Sequence, residues 1–352
     1  MTLEDLGYNK ELGEYRKKNN LDSFGIGRVI SEHKDRYTVK TEDGEFDSEL
    51  IGHLRFTATN RNELPYVGDW VSISEYDEGK ALIHAVFPRK SIVERKAVGK
   101  LGQTQIIATN IDYGLIVQSV NRDFNINRLE RYLTICHASK IEPIIVLSKV
   151  DLIEKKELEG LINQVKKRIN NVPLFEISNQ SGLGIDSLKS KLVRGYTYCL
   201  LGSSGVGKST LINTLIGTNL METGEISESI DRGKHVTSHR ELVVLENGIL
   251  IDNPGMREVG ITDISGGLEM TFDEILNIAQ YCKYGDCTHT NENGCAVLDA
   301  IDNEELDSDS YTNFMKMEKE KIHFESNAQE RKKKGKDLRK MIKNMKKNNN
   351  KY

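Results

Sequence analysis

The chain has 352 residues, 38% of them hydrophobic, enough to supply cores for two or three domains. Its net charge of −4 conceals a split, because Arg331 to Tyr352 carry eleven Lys or Arg against one Asp. That asymmetry argues against a protein that coats nucleic acid over its whole surface, and no apolar run of about eighteen residues offers a membrane-spanning helix.

The opening segment, MTLEDLGYNKELGEYRKKNN, is polar and lacks the basic start and apolar stretch of a signal peptide. A cytoplasmic protein is expected. Across residues 24–95, short and partly alternating patterns (GIGRVISEHKDRYTVKT, FDSELIGHLRF, VGDWVSISEY, ALIHAVFPRKSIVER) are punctuated by Gly, Asp and Asn turns. They predict a small all-β barrel, and periodicity leaves open whether it is of the oligonucleotide-binding or the SH3-like kind.

From about Gln105 the rhythm changes to YGLIVQSV, EPIIVLSK, VPLFEIS and YTYCLLG, separated by helix-length segments such as Asn127 to Ala138 and Lys155 to Ile169. Such βαβ spacing predicts a mainly parallel sheet covered on both faces, over residues 105–262. Residues 271–352 turn helical and polar around a cysteine cluster. That cluster is expected to staple a module with little core of its own.

LSKVDL places Lys149, Val150 and Asp151 after a strand and Ser148, and EISNQSG follows with Ser178 and Asn179. A carboxylate at Asp151 can accept hydrogen bonds from guanine N1 and its exocyclic amine, a pattern adenine does not offer, and the Lys149 stem can lie against the ring. Gly202, Ser203, Ser204, Gly205, Val206, Gly207, Lys208, Ser209 and Thr210 form a complete phosphate-binding loop between an apolar strand and a helical pattern. Its glycines let backbone amides wrap phosphate, Lys208 neutralises the β and γ oxygens, and Ser209 offers magnesium a hydroxyl.

Between this loop and the strand GILID, the segment DRGKHVTSHREL offers Thr237 as a second magnesium-binding hydroxyl, flanked by His235 and His239. The two histidines are candidates for positioning water or contacting RNA, and a polar loop role serves each equally. The strand ends at Asp252, suited to hold magnesium through water, and Gly255 can aim its amide at the γ-phosphate. Met256 follows, and a thioether cannot orient water.

Cys282, Cys287, His289 and Cys295 offer three thiolates and one imidazole, a closed tetrahedral set for zinc. Buried free cysteines beside an incidental histidine are the alternative, and core positions suit Cys136 and Cys199. The basic tail reads either as a solvated terminus or as a segment laid on RNA.

In chain order these parts run base motif, base loop, phosphate loop, switch threonine, then DNPG, which resembles the circularly permuted GTPases. With the barrel before and the Cys-x4-Cys-x-His-x5-Cys cluster after, residues 24–300 resemble the ribosome small-subunit-dependent GTPase family. The resemblance implies a multidomain fold: an N-terminal all-β oligonucleotide-binding barrel, a central α/β circularly permuted P-loop GTPase domain and a C-terminal helical zinc module. It implies that Ser148 through Asp151, with Ser178 and Asn179, contact guanine and that Gly202 through Thr210 hold phosphates. Ser209, Thr237 and Asp252 would serve magnesium, Lys208, Thr237 and Gly255 hydrolysis, and the cluster one structural zinc.

The implied partners are GTP or GDP and the small ribosomal subunit with its 16S rRNA, in late maturation, with no membrane; a monomer is the default expectation. Departures from the family pattern are Ser148 in place of Asn, expected to weaken nucleotide affinity, Asn253 in place of Thr, and Asn179 in place of the commoner Ala. The rival reading is an rRNA-binding switch in which hydrolysis serves only for release, and an ATPase is disfavoured by Asp151.

Overall fold

Alternation of apolar and polar residues from Gly25 to Val86 produces five strands, β1 (Gly25–His33), β2 (Arg36–Lys40), β3 (Glu45–Leu50), β4 (Trp70–Asp77) and β5 (Lys80–Val86). The computed structural model describes residues 1–33, 36–96, 104–121, 124–217, 241–252 and 266–323. The strands pair in the order β1-β2-β3-β5-β4, and β4 returns to β1, with Gly25 opposite Ile73 and Arg28 opposite Trp70. Closure leaves no free edge, and the parallel β3–β5 pairing with its Greek-key order selects the oligonucleotide-binding kind of barrel over the SH3-like one. Val29, Tyr37, Val39, Leu50, Val71, Ile73, Ala81 and Ile83 fill it. Gly27 is obligatory there, since a Cβ would lie 2.4 Å from Cγ1 of Val39.

One local reading needs correction. GHLRF, taken above with a strand pattern, is instead α2 (Gly52–Thr57). Once Ile51 donates to the Ile83 carbonyl the chain has left the ladder, and local bonds such as Arg55 N–H to Ile51 take over. The polar N-terminal segment forms α1 (Lys10–Lys18), capped by the Asn9 side chain at 3.0 Å from the Leu12 amide. It is held to the barrel by aromatic contacts of Tyr8 with Trp70 and Tyr15 with Phe87.

A hairpin of β6 (Ile92–Lys96) and β7 (Thr104–Thr109) leads into the second sheet. At the junction Arg28 is fully buried and donates to the carbonyls of Leu6, Gly68 and Asn110, tying three segments together. Burial pushes its guanidinium down to about 10, with Asp112 and Asp69 opposing.

The second sheet runs β10 (Leu174–Ile177), β9 (Glu142–Ser148), β8 (Tyr113–Ser119), β11 (Thr197–Leu201), β13 (Gly248–Asp252) and β12 (Glu241–Leu245). All neighbours are parallel except β12 and β13. Near-continuous apolar strands require cover on both faces. One apolar layer holds Ile116, Leu133, Ile145 and Cys199, with α3 (Ile126–Ala138) and α4 (Lys155–Arg168). The other holds Leu115, Val146, Leu200 and Leu211, with α5 (Ile185–Lys189) and α6 (Lys208–Ile216). A bridge between Ser31 of β1 and Glu241 of β12 joins the barrel to this sheet, a pairing the sequence pattern did not announce.

The C-terminal part comprises α7 (Gly267–Thr271), α8 (Asp273–Ala279), α9 (Ala296–Asp302) and α10, the helical residues 308–323. Contrary to the expectation of little core, it buries Leu268, Phe272, Ile275, Val297, Leu306, Phe314 and Met317 together with Cys295. The helices on either side of the cluster, α8 and α9, supply Ile275, Val297 and Ala300 to this core. It docks on α3: a Cβ on Gly267 would meet the Thr134 carbonyl at 2.3 Å, so only glycine permits the approach.

Beside that crossing, buried Glu130 accepts from Arg168 at 2.7 Å, Asn313 at 2.6 Å and Ser310 at 3.3 Å, and Arg131 pairs with Glu320 at 2.8 Å. Glu130→Ala is expected to cost about 3–5 kcal/mol, because it leaves Arg168 buried with Asp307 at 3.7 Å as its remaining acidic neighbour. A loss of unfolding free energy under about 0.5 kcal/mol in urea denaturation would contradict that reading.

Candidate nucleotide site and metal centre

Parallel strands put the loops at their carboxyl ends on one edge of the sheet, and the predicted motifs occupy that edge. Register aligns them: Ser148 ends β9 opposite Ile177 of β10 and Ser119 of β8, while Leu201 closes β11 opposite Ile116. Ser148 to Asp151, Ser178 to Asn179 and Gly202 to Thr210 are therefore neighbours in space although up to 62 positions apart.

The phosphate loop is built for an anion. Gly202, Gly205 and Gly207 have φ of +147°, +77° and +94°, conformations that favour glycine, and a Cβ on Gly202 would lie 2.3 Å from the Val117 carbonyl. Gly207 caps α6, so the positive helix terminus faces the loop. Lys208 Nζ donates across the loop to the carbonyls of Gly202 at 2.7 Å and Ser203 at 2.5 Å. Ser209 and Thr210 are exposed beside it, and Tyr132 of α3 lies near the Ser203 side chain.

The two loops that carry the candidate base motifs are tied to this one. Ser148, fully buried, donates its hydroxyl to the Val206 carbonyl at 2.7 Å; the short side chain still reaches a partner despite standing where Asn is usual. Lys149 sits in the left-handed region at φ +60° and its Nζ donates to the Gly205 carbonyl at 2.7 Å. Val150 is buried and Asp151 is exposed in the 3-10 turn that follows. Ser178 is buried and accepts the Ser181 amide at 3.1 Å. Asn179 Nδ2 donates to the Gly207 carbonyl at 3.2 Å. Sequence patterns announced the motifs but not these ties.

Asp252 ends β13, beside β11 in the sheet. Thr237, His235, His239, Asn253, Gly255, Met256 and the basic tail lie outside the described residues.

In the C-terminal part the four predicted ligands converge, with their donor atoms all within 4.8 Å of one another. Cys282 Sγ lies 3.9 Å from Cys295 Sγ and 3.6 Å from His289 Nδ1, which is 3.4 Å from Cys295 Sγ. A tetrahedron with metal–sulfur bonds of ~2.3 Å has edges of roughly 3.8 Å, so the set fits zinc and is too widely spaced for a disulfide. Cys282, Cys287, His289 and Cys295 would hold the ion, which supplies structural cross-linking and no open position. His289 has φ +56°, and its carbonyl accepts the Tyr311 hydroxyl, which fastens the loop to α10. Cys136 and Cys199 are buried core thiols, as their apolar contexts suggested.

A phosphate loop, a guanine-type base motif encoded upstream of it and a closed barrel together define a circularly permuted P-loop GTPase. The RsgA GTPase family model matches residues 86–262, about half of the chain. A small ribosomal subunit biogenesis GTPase RsgA 2 from Listeria monocytogenes is 41% identical over 321 residues, covering 91% of this chain and 89% of the relative. The RsgA of Opitutus terrae is 38% identical, covering 92% and 90%. The chain belongs to the RsgA GTPase family and is a GTP hydrolase.

Among solved structures, the crystal structure of YjeQ from Thermotoga maritima superposes with a TM-score of 0.63 at 25% identity, covering 85% of this chain and 98% of that one. YloQ, described as a circularly permuted GTPase, gives 0.61 at 23% identity, covering 85% and 96%, and supports the fold. An ABC transporter model also matches residues 185–349. That span includes the strand, phosphate loop and helix shared by P-loop proteins but omits the base motif at 148–151. No described helix is long and apolar enough to cross a membrane.

Proposed function

We propose that the chain hydrolyses GTP on the small ribosomal subunit during its late maturation, in the cytoplasm, and that the subunit stimulates turnover. The observation that carries the nucleotide reading is the convergence of Ser148, Lys149 and Asn179 on the phosphate loop at one sheet edge, with Asp151 in the turn beside them. In this reading Asp151 accepts from guanine, the loop amides and Lys208 hold and neutralise phosphate, and Ser209, Thr237 and Asp252 serve magnesium. Gly255 senses the γ-phosphate, and water attacks it. With Met256 after that glycine, intrinsic turnover is slow until the partner orders the segment or supplies a polar group. His235 and His239 stand in the same segment as candidates for that polar group.

The subunit assignment rests on the names of the relatives, which are small-subunit biogenesis GTPases. The barrel, the zinc module and the +10 tail offer three surfaces for rRNA, the tail by charge and the barrel by its fold. Purified 30S particles, 50S particles and free 16S rRNA are to be compared as activators of GTP turnover. The expected result is at least tenfold stimulation, about 1.4 kcal/mol off the barrier, by 30S particles alone. Equal stimulation by free rRNA would favour the RNA-binding switch, and none by 30S would overturn the proposal.

A further inference from the structure

A loop that turns its amides toward phosphate must turn its carbonyls the other way, into the protein, where each requires a donor. In this chain three successive carbonyls of the phosphate loop receive those donors from the base-reading loops: Gly205 from Lys149 Nζ, Val206 from Ser148 Oγ and Gly207 from Asn179 Nδ2. Lys149 lies on an exposed bond, whereas Ser148 is fully buried. The Gly207 carbonyl also accepts the Leu211 amide at 2.9 Å, the first helical bond of α6. Asn179 therefore acts where the phosphate loop becomes helix.

The Asn179 carboxamide has its Oδ1 buried with no hydrogen-bond partner. The Gly207 bond therefore sets its orientation, since turning the amide over would press one oxygen against another. Ser148 is the last residue of β9 and Asn179 lies just beyond the end of the neighbouring β10, with Ser148 level with Ile177, and they hold adjacent carbonyls of a single loop.

We propose that Ser148 and Asn179 form a two-part clamp on the phosphate loop, in which Asn179 is a positioning residue for phosphate binding and not a reader of the base. The inference rests on the guanine-nucleotide reading above. Its signature is a loss of affinity that ignores the base and is shared between the two residues.

The test uses the full chain and titrations with GDP, GTP and IDP, the last lacking the exocyclic amine that Asp151 would read. Asn179→Ala is expected to weaken GDP and GTP by about tenfold each, with the GDP-to-IDP ratio unchanged. Asn179→Asp keeps the shape and the oxygen but removes the donor, so it is expected to bind more weakly than the alanine variant. Ser148→Ala removes a single atom and is expected to lose a similar factor. The double alanine variant should lose distinctly less than the product of the two, because each cut frees the same loop.

Binding by Asn179→Asp at the unsubstituted level, or a collapsed GDP-to-IDP ratio in Asn179→Ala, would make Asn179 a base reader and overturn the clamp. So would strict multiplicativity of the two losses. Failure of the unsubstituted chain to bind guanine nucleotides would instead overturn the reading on which the clamp rests. Urea midpoints measured alongside separate lost nucleotide affinity from lost folding.

Discussion

Asp151→Asn is expected to exchange guanine for xanthine. In the proposed guanine site the Asp151 carboxylate would accept from two guanine donors, N1–H and the exocyclic amine; Asn would replace one acceptor with a donor that faces the amine and matches the 2-oxo group of xanthine. Losing one charge-assisted bond and setting two donors against each other costs about 3 kcal/mol, or roughly 100-fold in GTP affinity. Xanthosine triphosphate should gain by a comparable factor, and hydrolysis of it should persist because the phosphate loop is untouched. Titration of the variant with GTP and xanthosine triphosphate checks this. Unchanged GTP affinity would remove Asp151 from the base site.

Zinc removal should have the larger structural effect. One zinc per chain is expected, and its extraction with a strong chelator, or Cys287→Ser, should melt residues 266–323, because closed zinc sites of this type contribute on the order of 10 kcal/mol to folding. Cys295 belongs to the same apolar core as Phe272, Phe314 and Met317, so loss of the ion loosens packing as well as the loop.

Alkylation reads the change residue by residue. In the zinc-loaded protein Cys282, Cys287 and Cys295 should resist a thiol reagent, and after extraction all three should react. Cys136 and Cys199 should stay protected in both states, since burial pushes Cys199 up to about 12 and Cys136 well above its ordinary value. Retention of near-native helical signal after complete zinc loss would show that the apolar core suffices alone.

The two sites meet through α3. One helix carries Tyr132, which lies near Ser203 of the phosphate loop, and Glu130, Arg131 and Thr134, which hold Asn313, Glu320 and Thr271 of the C-terminal module. In the sequence, the segment after Asp252 leads into the C-terminal module. The contacts of α3 provide a second, packed route that no motif marked.

What could be read in advance was local in character. Continuous apolar runs specified β8, β9 and β11, glycine spacing specified the phosphate loop, and the intervals between Cys282, Cys287, His289 and Cys295 specified a ligand set. Each is a pattern within a few neighbouring residues, and the chemistry of Asp151 and Lys208 follows from side-chain type once such a pattern is found.

What the sequence misled on or left silent has a common cause. GHLRF carries an apolar pattern compatible with a strand, and only closure of the barrel by β4 and β5, which leaves it no ladder to join, makes it helix. α1 acquires its role from Trp70 and Phe87, more than 50 residues downstream.

By itself, then, the sequence determined the family of parts, their order and their chemistry, because propensity, glycine geometry and ligand type act over short spans. Only the tertiary structure decided how the parts are held. The Ser148–Val206 bond spans 58 positions, Asn179–Gly207 spans 28 and Glu130–Asn313 spans 183. Partners so far apart are chosen by the packing of strands and helices between them, and a hydroxyl or carboxamide read alone has no way to announce which carbonyl it will meet.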